Sequence, residues 1–284
     1  MKSKYIYIVP LIISMIIVNC QLSTINSVMA QTDIKLNPEV GARISVGLDK
    51  KIIKGLHVSV EEEARFDNNF RSFDRLQTTL AFKYKVHENV KLGLGYVFIA
   101  PYKSENKAFN HFRHRLFFDI TGTLKLGRWN LSLKERFQWT YRSGDVNLYQ
   151  NPRNLLALKS RITVKYKSGK IATPYAYIEM RNVFNAPVIS AYYNGSDYMT
   201  EDGYTTDVPG WFLTGYNGAY INRVRGSVGV ELNLGKYSKL DIYFLADYNH
   251  NKEVDANAEG TKLKSYTKET GFVGNFGLSY IFAF

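Results

Sequence analysis

Ten cationic side chains recur on one register of segments that alternate like strands: Arg65, Arg75, Arg113, Arg115, Arg136, Lys159, Arg161, Arg181, Arg223 and Arg225. Guanidinium forks pair bidentately with carboxylate or phosphate, and a confined set of them concentrates anions. Four carboxylates, Glu61, Glu63, Glu179 and Asp247, fall on the same tier. The surplus predicts a basic compartment. Rings of Arg and Lys can make an anion-selective passage, and small barrels also fill their interiors with Arg–carboxylate networks purely as packing. Both readings stand on sequence alone. A second group, Lys83, Lys85, Lys91 and Lys165, gathers toward the other end of the same segments.

Catalysis would need a nucleophile, an acid and a base within mutual reach. His114 and Ser160 share the opposite register, which faces away from the cations. They are offset by about three residues along the strands, at ~3.3 Å per residue, and separated by two strand spacings, too far for a hydrogen bond. His114 therefore reads as an interfacial ring rather than a base, and no enzyme activity is expected. A lipid-modifying outer-membrane enzyme acting through His114 is the last alternative, after a channel or binder and a structural barrel. Glu135 shares that outward register, where it would pair with a neighbouring strand, mark a partner contact or expose a register shift. Asp197, Glu201, Asp202 and Asp207 cluster in one stretch but lack the EF-hand spacing, so they read as solvated charge. Gly93-Leu94-Gly95 lacks the third glycine and the following helix of a dinucleotide site. No metal or cofactor is expected.

What positions these residues begins with export. Lys2 and Lys4 precede an apolar run from Tyr5 to Val18, and Val28-Met29-Ala30 offers the small-residue pattern of a signal-peptide cleavage site. Residues 1–30 are thus read as a cleaved signal. A rival reading, lipidation at Cys20, meets Asn19 where a small residue is wanted. Loss of the signal leaves 254 residues and lowers the net charge from +12 to +10, with no cysteine. Disulfides and thiolate metal sites are excluded from that mature chain, so its stability must come from an extensive hydrogen-bonded framework. The positive charge suits anionic partners: lipopolysaccharide phosphates or an anionic solute. Export argues against nucleic acid.

The framework is legible as period-two alternation, as in Val90-Lys91-Leu92-Gly93-Leu94-Gly95-Tyr96-Val97-Phe98. Similar runs span 56–67, 73–86, 112–124, 129–141, 156–166, 224–234 and 240–248, with a weaker one at 172–183. Their length, near the ~9–11 residues that cross a bilayer as a tilted strand, exceeds the ~5–6 usual in soluble sheets. Connections alternate between short (87–89, 125–128, 167–170, 235–238) and long (101–110, 142–154, 185–219, 251–270). That alternation predicts short periplasmic turns and long external loops. Tyr84, Trp129 and Tyr166 fall beside short turns, and Tyr96, Phe98, Trp139, Tyr141 and Tyr248 near long ones, as two interfacial girdles would. The fold class is all-β, an antiparallel transmembrane barrel of ten to twelve strands over 39–284, preceded by a periplasmic segment at 31–38. The count stays open because Val40 to Leu48 adds a run to ten others, and single-chain bacterial barrels have even numbers. Either that run does not cross, or a further strand hides in 185–219.

The chain closes on Phe276-Gly277-Leu278-Ser279-Tyr280-Ile281-Phe282-Ala283-Phe284. Tyr280, Phe282 and the terminal Phe284 resemble the signal read by the machinery that inserts outer-membrane barrels. Together with Glu63-Ala64-Arg65-Phe66-Asp67 and Arg113-His114-Arg115-Leu116, the mature chain resembles a family of outer-membrane barrels known only as a domain of unknown function. The resemblance spans most of 39–284 and brings no catalytic residues. It implies a Gram-negative outer membrane as the location, with lipid, lipopolysaccharide and the barrel-assembly machinery as partners.

Overall fold

The computed structural model describes residues 32–104, 107–109, 111–143, 153–192, 210–256 and 263–284, and they form one closed β-barrel. In chain order the strands are β1 (Thr32–Lys35), β2 (Glu39–Ile53), β3 (Leu56–Asp67), β4 (Ser72–His87), β5 (Val90–Lys103), β6 (Ala108–Phe109) and β7 (Arg113–Leu126). They continue as β8 (Trp129–Arg142), β9 (Asn154–Tyr166), β10 (Ala172–Tyr192), β11 (Gly210–Asn233), β12 (Ser238–Ala256) and β13 (Leu263–Ala283). The wall consists of eleven: β2 to β5 and β7 to β13, each hydrogen-bonded to its neighbours. β6 only pairs with the end of β5, and β1 lies against β13.

Alternation decides which face is which, and the result is the reverse of a water-soluble core. On β2, Ile44, Val46 and Leu48 are 48%, 59% and 51% exposed, whereas the intervening Arg43 and Ser45 are 8% and 5%. The same holds around the wall, where Leu80, Leu94, Phe118, Phe137, Ile178, Phe244 and Phe276 point out. Gln77, Asp119, Gln138, Thr140, Glu179, Arg225 and Asp247 are buried. Apolar burial inside is confined to small patches such as Ala81, Val97, Ile99 and Phe117. Main-chain ladders, closed so that no edge is left unpaired, hold such a structure together. Among the described residues no helix is long and apolar enough to cross a membrane.

The strand count resolves the open alternative in a third way. The first run is a full strand, and the described residues of 185–219 belong to the two strands that flank it. Up-and-down connections make every consecutive pair antiparallel, so the first and eleventh strands of an odd set run in the same direction. They close the barrel in parallel, from Val273 beside Glu39 to Ala283 beside Asp49. Eleven strands fall within the ten to twelve expected and the wall is antiparallel except at this seam, where the expectation of an even number is corrected.

Two of the long connections are also shorter than alternation implied. Residues 186–192 pair with 210–218, and 251–256 with 263–269, so β10 to β13 rise well beyond their apolar portions. Backbone pairing extends these strands past the runs that alternation marks. At the same rim β3 and β4 join through a tight turn with Asn68, Asn69 and Phe70 at φ of 48°, 55° and 67°. β1 runs parallel to residues 267–270, so the described part of segment 31–38 lies at the long-connection rim.

Candidate anion-binding site

The inward register of eight strands converges on a cavity of about 440 Å³ at the long-connection end. Arg65 comes from β3, Arg75 from β4, Arg113 and Arg115 from β7, Lys159 from β9, Arg181 from β10, and Arg223 and Arg225 from β11. Eight of the ten expected cations are therefore brought together. Two that sequence reasoning missed, Arg142 on β8 and Lys252 on β12, also line it. Gln77, Gln138, Thr140, Asn185 and Asn222 add neutral hydrogen-bonding groups, and Tyr220 adds a ring. Among the described residues no Asp or Glu lines this vestibule.

Carboxylates stand behind the arginines rather than in the cavity. Arg65 is held by Glu63 at 2.6 Å, Arg75 by Asp74 at 2.6 Å, Arg223 by Glu179 at 2.8 Å and Arg225 by Asp247 at 2.5 Å. Asp74 reaches Arg75 from the next position because the β3–β4 register slips by one residue there. Arg43, on the strand whose status sequence left open, also approaches Asp247, at 3.6 Å. Glu61 lies deeper on β3 and enters no ion pair among the described residues.

The remaining vestibule cations are held differently. Arg115 Nε donates to Thr140 Oγ1 at 3.0 Å. Arg181 donates through Nη1 to the Asn222 side-chain oxygen at 3.0 Å, with the amide turned to suit, while its Nε is buried without a hydrogen bond. Lys252 Nζ lies 4.8 Å from the Tyr220 ring centre. Arg113 and Lys159 form no ion pair among the described residues, although both line the cavity.

Arg136 and Arg161 separate from the other eight. With Lys134, Lys159 and Glu179 they line a smaller cavity of about 110 Å³, and Lys159 is the one residue lining both. Arg136 forms a bidentate pair with Asp119, at 2.6 and 2.7 Å, and Lys134 approaches the same carboxylate at 2.8 Å. Asp119 was not singled out from sequence, yet it shares the inward register of Arg115 and Phe117 and could have been found there. Arg161 reaches Glu179 at 2.9 Å through Nε and lies 4.2 Å from the Tyr177 ring.

Below this belt of paired charges, rings and further pairs occupy the lumen. Arg136 stacks 3.9 Å from Phe117, whose ring covers inward-facing Gly95; a side chain there would collide with it. Tyr243 needs the same bare backbone at Gly277, where an added Cβ would collide with its ring, and Tyr175 needs it at Gly229, where an added Cβ would lie 2.7 Å away. Tyr175 donates to Asp241 at 3.0 Å, and Lys165 pairs with Glu231. Lys83 approaches Asp49 at 3.7 Å near the short turns, and Lys85 and Lys91 are exposed there.

The outward residues weighed for chemistry do not form a catalytic group. His114 Nδ1 hydrogen-bonds the Tyr96 hydroxyl at 2.7 Å and sits among the rings of Phe98 and Tyr141. Ser160 donates instead to Glu135 at 2.8 Å from the directly opposed position. Of the three readings of Glu135, cross-strand pairing is the one the structure shows. Tyr280, Phe282 and Phe284 lie on the outward register of β13, where Phe282 and Phe284 contact each other at 5.6 Å and Tyr280 bonds Ser238 at 2.9 Å. No cluster of metal-binding side chains occurs among the described residues. The acidic cluster Asp197, Glu201, Asp202 and Asp207, the signal segment and Cys20 lie outside the described residues.

The barrel with a basic inner vestibule defines the class of protein. Residues 42–198 match the family described as Protein of unknown function (DUF2490), more than half of the chain, and the chain belongs to that family. No curated protein matches it.

Proposed function

We propose that this chain is an outer-membrane β-barrel that captures anionic small solutes in its basic vestibule. The observation that carries the reading is the cavity lined by ten cations and by no carboxylate among the described residues. Burying like charges together is costly unless an opposite charge joins them, so the cavity is built to be completed by an anion. The continuous outward apolar face supports a lipid setting, where an exposed patch of this extent would otherwise drive aggregation. In that setting the aromatic end of β13 serves as the insertion signal, residues 1–30 as the export signal, and lipid with lipopolysaccharide surrounds the wall. The short turns then face the periplasm and the vestibule opens outward.

Capture is favoured over free passage because paired charges and rings occupy the lumen beneath the vestibule. The test joins two measurements on the refolded mature protein. Orthophosphate and sulfate should raise its unfolding temperature in proportion to occupancy, by the equivalent of about 2.7 kcal/mol at a hundredfold excess over Kd. Planar-bilayer recordings should show little steady conductance. Discrete anion-selective steps, weakened in Arg113→Ala/Arg115→Ala, would replace capture with transport. Indifference to anions in both measurements would leave a structural barrel with a charge-filled lumen.

A further inference from the structure

The vestibule's ligand can be narrowed from anion to a class of anion. Nine cations other than Arg142 line the cavity, and four carboxylates pair with four of them from behind, a surplus of five positive charges among the described residues around about 440 Å³. Two of those carboxylates are already shared with other cations, Glu179 with Arg161 and Asp247 with Arg43. A monoanion leaves most of this repulsion in place. A ligand that balances it must carry several charges in a small volume, and a phosphate group brings about −1.5 to −2 with three strong acceptor oxygens, against one charge for a carboxylate.

The placement of the cations points the same way. Arg75 on β4 and Arg181 on β10 are five strands apart in a wall of eleven, so they face each other across the barrel. A single phosphate gathers cations at one spot; here they ring the cavity. Between them, Gln77, Gln138, Thr140, Asn185, Asn222 and Asn251 outnumber Leu155, Val183, Ala186 and Pro187, which suits a hydroxylated or purely phosphate scaffold. Arg113, Arg115, Lys159 and Arg181, each without an ion pair among the described residues, are the natural first contacts.

We infer that the vestibule binds a compact, soluble, polyphosphorylated solute, entering from the long-connection end and contacting opposite walls through Arg113, Arg115, Lys159 and Arg181. This rests on the anion-capture reading and sharpens it. A phosphorylated lipid headgroup has the same chemistry, but its acyl chains must stay outside the wall while the arginines point inward, so the soluble source is favoured.

Calorimetric titration at fixed ionic strength, on the detergent-refolded mature chain, tests the inference with four probes: orthophosphate, citrate, tripolyphosphate and inositol hexakisphosphate. Affinity should rise about tenfold or more with each phosphate added, since each brings new charge-assisted hydrogen bonds, and citrate should fall below tripolyphosphate. Arg113→Gln/Arg115→Gln should weaken tripolyphosphate by about a hundredfold on the same basis. Arg128→Gln, on a short turn, should leave it unchanged. If the double glutamine variant fails to refold, Arg113→Lys/Arg115→Lys keeps the charge and loses only the forks, and should weaken binding by a smaller factor. Equal affinity for orthophosphate and tripolyphosphate overturns the polyphosphate assignment while leaving anion capture standing. No binding of any probe overturns both. Binding of diphosphorylated lipid A in mixed micelles that tripolyphosphate cannot displace overturns the soluble source.

Discussion

The two halves of the lumen use similar residues in opposite ways. In the deeper belt nearly every cation has a carboxylate partner: Arg136 and Lys134 on Asp119, Arg161 on Glu179, Lys165 on Glu231. In the vestibule nine cations besides Arg142 stand against four carboxylates among the described residues. Paired buried charges hold strands in register, whereas unpaired like charges only raise the energy of the empty barrel. On the proposed reading, the belt serves folding and the vestibule serves a ligand. Arg223 and Arg225 join the halves, lining the vestibule while bonded to Glu179 and Asp247.

The sharpest separation of the two ends is topological and all-or-none. A cysteine replacing Lys35 should label from the same side as one replacing Arg71, and from the opposite side to one replacing Arg128, when a membrane-impermeant maleimide is applied to sealed vesicles. Labelling of Lys35→Cys together with Arg128→Cys would contradict the parallel seam. Next in size, Asp247→Ala removes the carboxylate that Arg225, Arg223 and Arg43 share. It should cost about 3–5 kcal/mol, as expected when one partner of a buried pair is lost, seen as a lower urea midpoint for the heat-modifiable form.

The vestibule should respond with the opposite sign. Arg113→Gln/Arg115→Gln relieves repulsion and should leave stability unchanged or raise it by about 1 kcal/mol at low salt. That gain should shrink as salt rises from ~0.01 to ~0.15 M and the screening length falls from ~30 to ~8 Å. A loss comparable to that of Asp247→Ala would erase the distinction between the halves. The smallest effect belongs to the outer face: His114→Phe keeps the ring, gives up the Tyr96 hydrogen bond and should change the unfolding midpoint by no more than ~0.5 kcal/mol.

Much of this was legible because a strand has a period of two. Once Arg113, Arg115 and Asp119 fall on one parity and His114, Leu116 and Phe118 on the other, one face must be polar and enclosed and the other apolar. No tertiary information is needed for that. Arg142 and Lys252 were less visible because they sit where the apolar partner face fades, near the ends of the alternating runs. The rim extensions were hidden for the same reason, since 186–192 and 210–218 are strand by backbone pairing and not by side-chain contrast.

The sequence by itself determined the barrel, its inward and outward faces and the surplus of cations within. The tertiary structure decided how many strands close it, that β2 and β13 meet in parallel, and which cations lack a carboxylate. Closure and register join residues far apart in the chain, such as Arg43 with Asp247 and Tyr175 with Asp241. Local periodicity carries no record of which strand lies opposite which, so only the closed wall sets those pairings and, among the described residues, leaves Arg113 and Lys159 without an ion pair.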